Sequence, residues 1–177
     1  GDATGHGAVA GTMVTVAKSL FSASAEPRPA AFLEEAATAV RRMGLERMWM
    51  ALQVVRFEGD GLLLASAGMP PAMVWRCGRG DVEEVLVPGM PVGAALAGGY
   101  REQRVPLAPG DTVLLMSDGF PELPDASGEP LGYERARRAF AAAAGVPPEE
   151  VIRRLLATAD GWRGPAMPPD DITFLVV

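Results

Sequence analysis

Three acidic sites in this sequence sit where an apolar, strand-like run meets a glycine or proline turn. Asp2 opens the glycine-rich stretch Asp2-Ala3-Thr4-Gly5-His6-Gly7. Asp118 follows the run TVLLMS at 112–117 and precedes Gly119, and Asp170 and Asp171 precede the closing run ITFLVV. Strand ends are rigid mounts, and glycines beside them let backbone or ligand come close. Carboxylates gathered from such distant points repel one another unless a cation neutralises them. Hard divalent cations such as Mg²⁺ and Mn²⁺ favour oxygen ligands and keep several waters. Two such ions clamp a phosphate and make water a nucleophile at neutral pH. Taken singly, an Asp-Gly at a strand end is an ordinary turn, and spacing alone leaves open whether the three sites converge.

Two further residues carry reactive side chains. His6 is the sole histidine. It reads either as a general acid or outer group for a leaving alkoxide, or as a hydrogen-bonding strut that fixes the glycine-rich turn. Cys77 is the sole cysteine, which excludes an internal disulfide and a cysteine-based zinc site. Its surroundings, R-C-G-R-G, do not resemble the phosphate loop of a cysteine phosphatase, and the expectation is a buried or half-buried small residue.

The elements that must position these residues are legible from periodicity. Val9, Met13, Val16 and Leu20 recur at helical spacing over 8–21. A second helix follows Pro27 and Pro29, with Leu33, Ala36, Ala37, Val40 and Met43 on one face and Gly44 as its stop. Residues 47–57 are apolar on both alternating faces, as in a strand buried between layers. Glu58-Gly59-Asp60-Gly61 signals a hairpin into a return strand at 62–67. Shorter strands are expected at 72–76, 83–87, 101–106 and 112–117. Helical spacing returns from Tyr133 to Ala144 and over 148–159, where Val151, Ile152, Leu155 and Leu156 should face a core. The last six residues read as a strand. Helices, then strands, then helices and a strand fit an α+β arrangement of sheets covered by helices.

Composition narrows the function classes. The 177 residues suit one domain, expected to span 1–177, and 49% hydrophobic with 21% charged residues is a globular balance. A formal net charge of -6 argues against a nucleic-acid groove, which needs clustered Lys and Arg. No apolar run reaches the length of a membrane span, none of these residues is expected to act as a signal peptide, and a single cysteine suits the cytoplasm.

Four segments in order carry a resemblance. DATGHG followed by AVAGTMVTVAKSLF resembles the D-x-[ST]-G-H-G-x-x-A segment of the PP2C-like serine phosphatases of the stage II sporulation protein E and sigma-factor regulator type. LLLASAGMPPAMVWR resembles the A-G-x-P-P segment of that family, LAPGDTVLLMSDGFPEL its P-G-D…[ST]-D-G-x-x-E segment, and DDITFLVV its terminal D-D-I-T strand. Met69 stands where many members have His.

That resemblance implies a PP2C-like four-layer αββα sandwich, two antiparallel sheets flanked by helices. It implies hydrolysis of phosphoserine or phosphothreonine on a regulatory protein by a metal-activated water. Two ions, Mn²⁺ or Mg²⁺, are expected. Asp2 resembles the carboxylate bridging them, with the Ala3 carbonyl beside it; Asp118 and Asp170 resemble the further ligands. Asp171 is then an outer or turn residue, and Glu122 either reaches a looser third ion or is a turn carboxylate. No arginine stands out as a clamp for the substrate phosphate. The family also has strands before the D-x-[ST]-G-H-G segment, with a further Asp ligand, which lie outside these residues; their loss would open a sheet edge to another molecule, a homodimer included. Implied partners are a phosphorylated anti-sigma-factor antagonist and an upstream sensory domain. The alternative is a catalytically inactive domain of the same fold acting as an interaction module.

Overall fold

A computed structural model describes every residue except His6, residues 45–47 and Ala166; the side chain of Val9 also lies outside the description. In chain order the elements are β1 (Asp2–Ala3), α1 (Ala8–Ala23), α2 (Pro29–Arg42), β2 (Met50–Glu58), β3 (Gly61–Ala67), β4 (Ala72–Arg76), β5 (Asp81–Val85), β6 (Glu102–Pro106), β7 (Thr112–Met116), α3 (Tyr133–Ala143), α4 (Pro148–Arg163) and β8 (Phe174–Val176). They form two antiparallel four-stranded sheets with four helices, an α+β architecture. The chain divides into two compact units, Gly1–Met69 with Val87–Leu107 and Pro70–Leu86 with Ala108–Val177.

The first unit holds the sheet β1-β2-β3-β6. Its central hairpin turns at Gly59 and Asp60, so that Glu58 faces Gly61 and Leu52 faces Ala67. Helix α2 begins with Pro29, whose fixed φ suits the first turn, and ends with Arg41 and Arg42 at its negative pole. It buries Phe32, Leu33, Ala36, Ala37 and Val40 in a core shared with Ala65 and Ala67 of β3 and Met13 of α1. Small residues on both sides let the helix sit close to the sheet. A fully buried Leu such as Leu33 contributes about 1.5–3 kcal/mol by leaving water.

The second unit holds the sheet β5-β4-β7-β8 and helices α3 and α4. Phe120, Phe140, Met73, Leu114, Val151 and Leu155 form its core, and Phe120 meets Phe174 edge to face at 5.0 Å. Arg76 ties the β4 end to Asp111 just before β7 at 2.9 Å, an ion pair almost wholly out of water.

Several local expectations shift. Met43 follows the last turn of α2 and is exposed, so the apolar face ends at Val40. Strand β2 is half-buried along most of its length, and Arg56 and Phe57 are exposed. Its expected first residue, Arg47, lies outside the described residues. In α4 the buried positions are Val151, Leu155 and Ala159, while Leu156 turns to solvent. Cys77 is exposed, on the turn after β4. Among the described residues no helix is long and apolar enough to cross a membrane.

Candidate metal centre

Strand β7 delivers Asp118, and the segment before β8 delivers Asp170. The two strands pair through Leu114 with Val176 and Met116 with Phe174. Beyond that register the ladder is finished by Ser117. Its N–H donates to Thr173 O at 3.1 Å, its hydroxyl donates to Asp171 O at 3.0 Å, and the same oxygen accepts the Thr173 N–H at 3.0 Å. This side-chain bridge is why β8 starts at Phe174 and not at Ile172. It also sets the residue after Ser117 beside the residue before Asp171.

The consequence is a carboxylate pair. An oxygen of Asp118 and an oxygen of Asp170 lie within 4.8 Å of each other. Asp118 Oδ1 is buried and has no hydrogen-bond partner among the described residues. Asp170 is exposed, and its Oδ1 accepts the Asp171 N–H at 2.8 Å. Among the described residues neither carboxylate is paired with a cationic side chain. Two like charges brought together, one with an oxygen withdrawn from water and unbonded, form a costly arrangement without a cation and a suitable one with it. The donor set, hard carboxylate oxygens, fits Mn²⁺ or Mg²⁺.

The turn after Asp118 is closed by the Glu122 N–H donating to Asp118 O at 2.9 Å, while Phe120 anchors it in the core. The Glu122 side chain is exposed. Asp171 contributes its backbone carbonyl to Ser117, which suits a structural turn residue.

In the first unit, Asp2 and Ala3 form β1 opposite Ala51 and Met50. Both are half-buried. Thr4 fastens the strand end: its N–H and hydroxyl both donate to Trp49 O, at 3.0 and 2.9 Å. Asp2 is therefore held in a ladder. His6 lies outside the described residues.

Sequence reasoning passed over Ser117 and Trp162. The signal for Ser117 was its place beside Asp118 in M-S-D-G, read only for the carboxylate. Trp162 donates its Nε1–H to Leu123 O at 3.0 Å and so pins the loop that follows Asp118; nothing in its spacing marks that.

The family model for stage II sporulation protein E (SpoIIE) matches residues 1–177. The chain belongs to the SpoIIE family. No curated protein sequence matches this SpoIIE-family chain. Among solved structures, the SiaA-PP2C domain of Pseudomonas aeruginosa is similar to it with a TM-score of 0.85 at 28% identity, over 98% of this chain and 72% of that one. The PP2C phosphatase domain of SpoIIE from Bacillus subtilis, solved with a fragment of its regulatory domain, gives a TM-score of 0.72 at 17% identity, over 98% of this chain and 51% of that one. The catalytic domain of the serine/threonine phosphatase PstP, in complex with 2 manganese ions, gives 0.68 at 16% identity over 98% of this chain and 83% of that one. The SpoIIE-family chain thus has the PP2C phosphatase fold.

Proposed function

We propose that this chain is the catalytic portion of a metal-dependent protein phosphatase that hydrolyses phosphoserine or phosphothreonine on a regulatory protein of a bacterial signalling pathway. The observation that carries the reading is the Asp118–Asp170 pair, with its unbonded, buried Asp118 oxygen, in a chain of the SpoIIE family. Asp118 and Asp170 would hold one cation. Asp2 and the Ala3 carbonyl would serve as further oxygen ligands for a cation; the match of the DATGHG stretch to the family segment supports that assignment. Mn²⁺ has the better support of the two candidate ions, because PstP holds it.

Cations bound there would offset negative charge on a phosphoryl group and acidify a water. The remaining work falls to the protein. The Ser117 bridge keeps Asp118 and Asp170 in place before substrate arrives, so their oxygens need little reorganisation. The exposure of Asp170 leaves that side of the pair open to an incoming phosphoryl group. The substrate is proposed to be an anti-sigma-factor antagonist or a similar small phosphoprotein, met in the cytoplasm and under control of a sensory domain upstream. Asp2, Asp118 and Asp170 are all intact, which weighs against an inactive interaction module.

Release of phosphate from a phosphoserine peptide, followed as Mn²⁺ is titrated, tests this function. Turnover that rises with Mn²⁺ and stops on chelation is the expected result. A folded chain that binds Mn²⁺ yet releases no phosphate from serine, threonine or aryl phosphates would refute catalysis.

A further inference from the structure

Cations at a carboxylate pair neutralise a phosphoryl group but leave its orientation to other donors, and no arginine of this chain sits in a motif that supplies one. The arginine nearest in sequence after the Asp118 loop is already engaged. Arg135 donates to Leu131 O at 3.2 Å, pairs with Glu129 at 3.1 Å and stacks on Trp162 at 4.8 Å. Arg137 and Arg138 are paired with Glu134.

The backbone brings a different donor to the turn that follows Asp118. The turn that starts at Asp118 is closed on Glu122, and the carbonyl of Pro121 inside it accepts the Gly132 N–H at 2.7 Å. One step earlier, Leu131 N–H donates to Leu123 O at 2.9 Å, with Leu131 buried. The start of α3 is therefore fastened directly onto the turn that carries Asp118. The first residue after this anchor is Tyr133, roughly 3.8 Å of chain from Gly132. Tyr133 is 40% exposed, and its hydroxyl has no hydrogen-bond partner among the described residues. Its phenol lies in the field of Asp118 and Glu122: burial first, then the charges of Glu122 and Asp118, raise it above the ordinary tyrosine value. It keeps its proton at neutral pH and stays a donor.

We propose that Tyr133 is a substrate-positioning residue whose hydroxyl donates a hydrogen bond to a phosphoryl oxygen held at the Asp118–Asp170 pair. The inference rests on the phosphatase reading above and adds to it a specificity for a phosphoryl group presented alongside α3. A hydroxyl on a rigid helix start, with one face open and no partner, is suited to a ligand that arrives with acceptor oxygens.

Tyr133→Phe removes the hydroxyl and keeps the ring. Calorimetric titration would measure Mn²⁺ binding first, and then binding of a non-hydrolysable phosphonate analogue of a phosphoserine peptide to the Mn²⁺-loaded protein. The expected result is phosphonate binding about tenfold weaker in the variant, the loss of one hydrogen bond to a charged group, with Mn²⁺ affinity and thermal midpoint unchanged. Equal phosphonate affinity in both proteins would overturn the assignment. So would weakened Mn²⁺ binding, which would make Tyr133 a support for the carboxylates. Failure of the unaltered chain to bind Mn²⁺ or the phosphonate is a separate outcome; it would overturn the phosphatase reading and this inference together.

Discussion

A methyl group on Gly119 would collide with the carbonyl oxygen of Asp171. The turn after Asp118 and the segment after Asp170 thus touch through bare backbone, and glycine is what permits the approach. Gly119→Ala should force the two segments apart. Overpacking of this kind costs about 1–3 kcal/mol, and the displacement should weaken Mn²⁺ binding by tenfold or more. Thermal unfolding and metal titration on the same preparation check both effects. An alanine variant with unaltered metal affinity would separate that contact from the site.

Ser117 closes the same contact with its side chain. It is 5% exposed, and its hydroxyl serves Asp171 O and Thr173 N at once. Ser117→Ala leaves both backbone groups without that partner, a loss of about 1–3 kcal/mol. Mn²⁺ affinity should fall about tenfold, as for other residues that orient a ligand without touching the metal. Chemical denaturation gives the first number and calorimetry the second.

Much of this arrangement was legible in the sequence. Strands at 72–76, 101–106 and 112–117 lie within a residue or two of the expected bounds, because glycine and proline punctuate them. Helix α4 was recognisable from Val151 and Leu155, but Leu156 was misplaced: adjacent leucines fit one stripe by hydrophobicity, and only packing decides which of them the core takes. Asp118 and Asp170 were legible as strand-end carboxylates. Their proximity was not, since it depends on a β7–β8 pairing across more than fifty residues of chain. The parts that stayed hidden are polar: the Ser117 bridge and the Trp162 bond to Leu123 use residue types common in any fold, with no spacing rule to betray them.

Acid sensitivity should come in part from Asp111. Burial would raise its pKa, but hydrogen bonds from Ala108 N–H, the Arg76 guanidinium and Cys77 N–H outweigh it and hold the carboxyl below its ordinary value. A depressed pKa in the folded state stabilises the fold above the unfolded value, about 3.9, and that contribution is lost as pH falls through the folded value. Asp111→Asn breaks a pair that is almost out of water. Because Glu83 still engages Arg76, the expected cost at pH 7 is about 2–3 kcal/mol, at or below the low end for a broken buried pair. The gap between the two proteins should shrink below pH 4, read from thermal midpoints across pH 2.5–7. A gap of constant size would show that Asp111 does not act through its charge.

Asp118 and Asp170 are proposed to hold a catalytic divalent cation. Calorimetric Mn²⁺ titration of the unaltered chain against Asp118→Asn, with aryl phosphate hydrolysis followed in the same samples, tests it most directly. Saturable Mn²⁺ binding and metal-dependent hydrolysis are expected in the first, and loss of both in a folded Asp118→Asn. Mn²⁺ binding and hydrolysis that survive in Asp118→Asn would contradict it.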